Sequence, residues 1–496
     1  MKLKPNLKTL SAGALVLAAL NDVQAQYAPP PPPLPFQGFL NESLRAKDPY
    51  ANQWDLGGDF RVRYEAKEGF GIAGKAGSVD FRDLGPSVNN EFFLLRTKVH
   101  LGYTDKWWSA YLEGRSSLAK SDLRAAYANV PAVTGTTKRV GDGPEADNLD
   151  LHQAYITIGN HKEFPLSLKI GRQELSYGDE RLVGAFAWNN IGRVFDEAKV
   201  RWQNEWFSAD IFTGWTVVPH DEQFNSSNTK DAFSGVYATS LKIPKTILEG
   251  YFLARNAEAG AIRDDPSPQF PQPTARDIYT LGGRLKNKLN ELGNFDYTIE
   301  GAYQFGDYAA TATSARLRQD AFMFVANVGY TFADLWASPR FAIEYAYGSG
   351  DNNAKDGVHG TFENLFPTNH KFYGYMDFAS LQNLQDVRAI FQLKPTTRST
   401  VSLEGHGFWL ANKNDSFYNV GGGARATGGY GANPGYGNFI GTEIDLVGGY
   451  ALTRNSLLEA GYGHFFTGDY ITKTLAGKNG GDHDADWVYV QTTIKF

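Results

Sequence analysis

Basic and acidic residues recur at alternate positions along most of this chain, and that spacing is where chemistry would start. Arg61, Arg63, Arg96, Lys98, Arg115, Lys199, Arg201, Arg284, Arg340 and Arg388 share their stretches with Glu65, Glu113, Glu197, Glu300, Glu344, Glu404, Glu443 and Asp445. Alternate side chains of a β-strand point to one face, so each run puts charges on one side and apolar residues on the other. Fixed charges of this kind make no bonds; lining an aqueous passage, they set which ions or solutes cross it. The same residues could instead pair across strands and brace a water-filled wall, at about 0.2–1 kcal/mol per pair.

A second concentration lies at 171–202, where Arg172, Glu174, Asp179, Glu180, Arg181 and Arg193 accompany Trp188, Asn189 and Asn190. A segment this polar either folds into a passage and narrows it or lies on the outer surface, and both readings stay open. Covalent catalysis finds little to use: there is no G-x-S-x-G turn, no H-E-x-x-H and no cysteine. His406 and Ser402 share a strand face but stand ~13 Å apart at the strand rise. His483 lies among Asp482, Asp484 and Asp486 without calcium-loop spacing. The pairs Asp179/Glu180 and Asp264/Asp265 read as loop residues. No enzyme activity, metal or other cofactor is expected.

Positioning alternate charges takes strands. Phe60, Val62 and Tyr64 oppose Arg61 and Arg63; Phe93, Leu95, Val99 and Leu101 oppose Arg96, Lys98 and His100; Phe341, Ile343 and Tyr345 oppose Arg340 and Glu344. Clear alternation also marks the stretches around 295–305, 322–332, 387–394 and 401–409. Weaker segments occur near 108–116, 151–159, 166–171, 194–202, 207–215, 233–241, 247–255, 278–286, 440–450 and 456–464. Together they make about 18 segments, each near the ~9–11 residues of a tilted membrane-crossing strand. The last ten residues, WVYVQTTIKF, set Val488, Val490, Thr492, Ile494 and Phe496 against Trp487, Tyr489, Gln491, Thr493 and Lys495. Bacterial outer-membrane barrels commonly end on such a strand with a terminal aromatic residue. Short connections near 104–106 and 205 contrast with long ones at 66–91, 117–148, 218–232, 256–276, 349–380 and 411–438, the asymmetry of a barrel with long outer loops.

Residues 1–25 read as a signal peptide: Lys2, Lys4 and Lys8, an apolar run from Leu10 to Leu20, then Val23-Gln24-Ala25. Residues 26–53, with prolines at 29–33, read as a stiff spacer. Residues 54–496 make the barrel. Cysteine is absent, aromatics are 14% and net charge is −6, with no basic tract to suggest nucleic acid. No later apolar run could span as a helix, so a membrane location requires a closed barrel. The expected fold is all-β: a transmembrane antiparallel up-and-down β-barrel of about 18 strands with long extracellular loops.

Several motifs resemble a known family, the alginate export family of outer-membrane proteins. They are Gly171-Arg172-Gln173 with Leu175, Trp188, Phe195-Asp196, the segment FENLFPTNHKFYG from Phe362 to Gly374, and HFFTGDY from His464 to Tyr470. The resemblance runs from about residue 55 to Phe496. It implies an 18-stranded barrel with an arginine-rich constriction that passes an anionic polysaccharide outward, Arg172 being the constriction-type arginine carried over. Where that family's exporter has further arginines, this chain has Glu174 and Ser176, which weakens the attraction for a polyuronate.

The reading is a passive outer-membrane channel for anionic polysaccharide or oligosaccharide. The alternative is a general porin for small hydrophilic solutes, and the rival from another class is an outer-membrane barrel enzyme. The expected pore-lining set is Arg61, Arg63, Arg96, Arg115, Arg172, Arg201, Arg284, Arg340 and Arg388, with Glu174, Asp179, Arg181 and Arg193 from the loop. The expected partners are the solute, outer-membrane lipid, and the barrel-assembly machinery reading the strand that ends in Phe496.

Overall fold

The computed structural model describes residues 38–69, 81–82, 89–122, 145–220, 224–259, 274–288, 291–311, 313–425 and 430–496. The expected signal peptide and the proline run lie outside them. Eighteen long strands are described. The first six are β1 (Trp54–Glu68), β2 (Asn90–Thr104), β3 (Trp108–Lys120), β4 (Asp147–Ile158), β5 (Leu166–Gln173) and β6 (Phe195–Gln203). Then come β7 (Phe207–Val218), β8 (Ser226–Ser240), β9 (Thr246–Ala257), β10 (Arg276–Asn287), β11 (Phe295–Ala309) and β12 (Arg316–Thr331). The last six are β13 (Arg340–Gly348), β14 (Leu384–Thr396), β15 (Ser399–Leu410), β16 (Phe439–Thr453), β17 (Ser456–Thr467) and β18 (Ala485–Lys495).

Each strand pairs antiparallel with its sequence neighbours, and β18 returns to β1 with Arg63 opposite Gln491 and Glu65 opposite Tyr489. The ladder continues through the backbone of Phe496, whose N–H donates to Gly58 at 2.9 Å. The sheet is a closed barrel with no edge left to pair. Adjacent residues show the two faces: Ile343 is 62% exposed on the outside and Glu344 is 1% exposed on the inside. No described helix is long and apolar enough to cross a membrane; the crossing is by strands.

A helix, α1 (Phe39–Lys47), and a 3-10 turn (Pro49–Gln53) precede β1. The second half of the expected spacer is therefore folded. Glu42 in the first turn and Arg45 and Lys47 in the last suit the helix dipole, and Pro49 stops the helix. Asn41 ties α1 to the wall, donating to Asp55 at 2.6 Å and accepting from the Leu56 N–H at 2.7 Å.

Two departures from regularity shape the interior. β5 and β6 have 8 and 9 residues, between neighbours of 12, so the wall steps down where the 174–194 connection begins. The lumen toward the long-loop end also holds an apolar core rather than the charged, water-filled space expected. Phe195, Phe212, Phe233, Tyr237 and Tyr251 of the strands pack there against Leu182, Val183, Phe362, Phe366, Phe372 and Tyr373 of the connections.

Candidate functional site

The 174–194 connection folds inward and crosses the lumen. Tyr177 stacks on Tyr237 at 4.4 Å and donates to Asp210 at 2.9 Å. Gly178 turns the chain at φ +58, and a Cβ there would meet the Tyr237 hydroxyl at 2.9 Å. Asp179 then takes Arg284 at 2.7 Å and Lys286 at 3.3 Å from β10, and Arg181 pairs with Glu344 of β13 at 2.6 Å. The chain next reaches the opposite wall. There the Ala187 carbonyl accepts from Arg61 at 2.9 Å and Arg96 at 3.1 Å, and the Trp188 carbonyl from Arg63 at 2.9 Å. Ser117 and Arg115 hold the Asn190 and Ile191 carbonyls at 2.6 Å each.

The 349–383 connection meets it in mid-lumen. Val183 and Phe366 form a parallel bridge, and the Thr368 N–H donates to the Glu180 carbonyl at 2.9 Å. Arg193 donates to the carbonyls of Gly184, Phe366 and Pro367 at 3.0, 2.8 and 3.0 Å. Thr368 Oγ1 and Lys371 Nζ both bond Glu180 Oε2, at 2.7 and 2.9 Å. His370 stacks on Trp188 at 3.9 Å, and Glu363 binds Arg255 and Arg276 of the wall at 3.2 and 2.8 Å. The FENLFPTNHKFYG segment is thus half of a two-loop plug. Its sequence carried no sign of facing inward.

The expected pore-lining arginines are nearly all engaged. Arg61, Arg63, Arg96 and Arg115 face inward but hold loop carbonyls. Arg201 pairs with Asp210 at 2.6 Å, Arg284 with Glu249 at 2.5 Å, Arg340 with Asp296 at 2.6 Å, and Arg388 with Glu404 through Nε at 2.8 Å. Arg172, expected in the constriction, is built into the wall instead. It has the register parity of Ile170, whose side chain is exposed outside, and opposes Asp196 of β6. Its guanidinium bonds Asp196 at 2.8 and 2.9 Å and the carbonyls of Leu151 and Asn225 at 3.2 and 3.1 Å, filling the step above β5.

Glu113, His152 and Glu174 form a constellation that the strand pattern concealed, their donor atoms all within 4.8 Å of one another. The β3–β4 register shifts at Glu113/Gly114, so alternation read along β4 misplaces His152. Such a donor set could hold a divalent metal, but Lys98 Nζ already lies 3.1 Å from Glu174 and 3.4 Å from Glu113. The suspected catalytic pair does not meet: Ser402 donates to Glu404 at 2.9 Å and His406 Nδ1 bonds Asp386 at 3.0 Å. Around His483 the carboxylates serve separate partners, Asp484 taking the Thr467 N–H and Asp486 taking His464.

Electrostatics lock the loops. Burial pushes the Asp179 carboxyl up, but Arg284, Lys286 and Arg181 outweigh it and hold it below the ordinary carboxylate range. Glu363 is lowered in the same way, with Arg276 and Arg255 overcoming its burial. Glu174 is likewise buried yet held low, by Lys98 and His152.

The family model described as alginate export matches residues 53–480. This chain belongs to the alginate export family. No curated protein matches it. Solved structures similar to this family member include OccAB2 of Acinetobacter baumannii, at 10% identity and TM-score 0.56, covering 89% of this chain and 98% of that one. OpdQ of Pseudomonas aeruginosa matches at 10% identity and TM-score 0.53, over 89% and 97%. OpdK of Pseudomonas aeruginosa, solved with vanillate, matches at 11% identity and TM-score 0.52, over 89% and 99%. At such identities the likeness concerns the fold alone. An alginate export family barrel with this porin fold is an outer-membrane channel.

Proposed function

We propose that this channel passes solutes of a few rings carrying carboxylates, of which short anionic oligosaccharides are the leading case. The observation that carries the reading is the plug. Two connections meet across the lumen and engage the inward arginines, so the remaining passage lacks the open arginine ring that a long polyuronate would follow. The family takes its description from a polymer of carboxylate sugars, and OpdK was solved with vanillate, a small carboxylate. A general porin for small hydrophilic solutes is the alternative, and a plug this extensively bonded argues for a narrower choice. Cleavage after Ala25, delivery to the assembly machinery through the strand ending in Phe496, and passage without covalent chemistry belong to the same proposal.

Single-channel recording of the refolded barrel tests it. Oligomannuronates of two to four sugars are expected to block the current at lower concentration than neutral oligosaccharides of equal length. Equal block by both would leave the general porin.

A further inference from the structure

The inner face of β5 and β6, on the short-turn side of the plug, carries two lysines, of which Lys199 lies 5.9 Å from the ring centroid of Tyr177 in the plug. Lys169 and Lys199 stand directly opposite each other in register. Lys169 has the inward parity of buried Ser167 and Gln173, and Lys199 that of buried Glu197. Like charges directly opposite destabilise a strand pair. The arginines of this wall are matched, Arg201 by Asp210 and Arg172 by Asp196. Among the described residues, by contrast, neither lysine forms an ion pair or a hydrogen bond through its ammonium. The carboxylates around the pair are buried or already engaged: Glu197 is buried, Asp210 is held by Arg201 and Tyr177, Glu174 by Lys98 and His152, and Glu113 takes the Tyr111 hydroxyl at 3.0 Å.

Aromatic rings continue the row sideways. Lys169 Nζ lies 3.5 Å from the Tyr155 ring centroid, Tyr155 stacks on Tyr111 at 5.2 Å, and Tyr111 stacks on His100 at 5.4 Å. These residues come from β5, β4, β3 and β2, so the rings stack around the wall and turn their edges to the lumen. A ring edge is the positive part of the aromatic quadrupole and favours an anion. The Tyr155 hydroxyl has no protein partner among the described residues.

We propose that Lys169 and Lys199, flanked by Tyr155 and Tyr111, form a docking strip for a six-membered ring bearing a carboxylate. The two ammonium groups take the carboxylate, and its charge relieves their mutual repulsion. The tyrosine edges carry the ring along the wall. This inference rests on the carboxylate reading above and names the residues that would serve it. The ring could be a uronic sugar or an aromatic acid, since both present the same group at the same distance from a flat body.

The test uses the full-length barrel in planar bilayers, with mannuronate trisaccharide, benzoate and a neutral trisaccharide as blockers. Both carboxylates, or one of them, are expected to block the wild type. In Lys169→Met/Lys199→Met the blocking concentration should rise by about tenfold or more, as loss of charge-assisted contacts implies. Which carboxylate shows that rise identifies the source. Lys199→Met should also raise the urea midpoint of the refolded barrel, because it removes a like-charge pair. Carboxylate block that persists unchanged in the double variant overturns the strip and leaves the carboxylate reading standing. No carboxylate block in the wild type overturns both.

Discussion

Arg63 and Trp188 hold each other inside the barrel. The Arg63 guanidinium carbon lies 3.8 Å from the indole centroid while its Nη1 donates to the Trp188 carbonyl at 2.9 Å. One strand side chain thus fixes both the ring and the backbone of the plug, and it does so while fully buried beside Glu65, 2.8 Å away. Trp188 passes the contact on to His370 at 3.9 Å and Tyr489 at 5.2 Å, so wall, first loop and second loop meet at one ring.

Arg63→Met should therefore loosen the plug. Removing one partner of a buried ion pair costs about 3–5 kcal/mol, because the other charge stays buried. The expected outcome is a lower denaturant midpoint together with larger, noisier single-channel conductance. A variant with unchanged midpoint and conductance would show that the loop is held without Arg63.

Arg172→Gln should leave ion selectivity alone. The guanidinium sits in the step of the wall, bonded to Asp196, Leu151 and Asn225, and does not stand over the passage. Hydrogen bonds to charged groups contribute about 1.5–3 kcal/mol, so a stability loss of that size is expected in urea titrations. A changed reversal potential in a salt gradient would return Arg172 to the pore.

The barrel was legible because burial of backbone groups in hydrocarbon leaves one answer, and pairs such as Ile343 and Glu344 announce it by alternation. Closure through 487–496 was legible for the same reason. The plug was not. On the β1 to β3 wall its anchors are the carbonyls of Ala187, Trp188 and Ile191, which any residue can supply, so no side-chain type marks that end. Arg172 shows a second limit: the G-R-Q motif gives a residue type but not a face, and β5 ends one residue later. His152 shows a third, since a single bulge shifts the parity on which the whole reading depends.

Acid should release the loops. Asp179 and Glu363 both sit below their ordinary values of 3.8 and 4.5, burial being outweighed by Arg284, Lys286 and Arg181 in one case and by Arg276 and Arg255 in the other. A carboxyl whose folded value is depressed contributes stability above its unfolded value and loses it as pH falls through the folded one. Loop anchoring is thus full at neutral pH, begins to weaken near the ordinary values, and disappears at stronger acidity. Conductance recorded stepwise from pH 7 down to about pH 3 should rise only at the acid end. Asp179→Asn should shrink that rise, and an unaltered profile in the variant would remove Asp179 from the latch.

Lys98 is the built-in cation of the Glu113, His152 and Glu174 constellation, and its removal should expose a metal site. The three donor atoms lie within 4.8 Å of one another, so a small inward shift of the side chains brings them to ~2.0–2.2 Å from one ion, completed by water. In the wild type the ammonium, 3.1 Å from Glu174, neutralises the carboxylates and occupies the approach. Lys98→Ala takes away both obstacles, leaving two carboxylates and an imidazole whose neutral form can ligate. The expected result is block of Lys98→Ala by micromolar zinc, reversed by chelator, with the wild type insensitive. Lys98→Ala/His152→Ala should lose that sensitivity. Zinc block that survives loss of the imidazole would mean that the ion binds elsewhere.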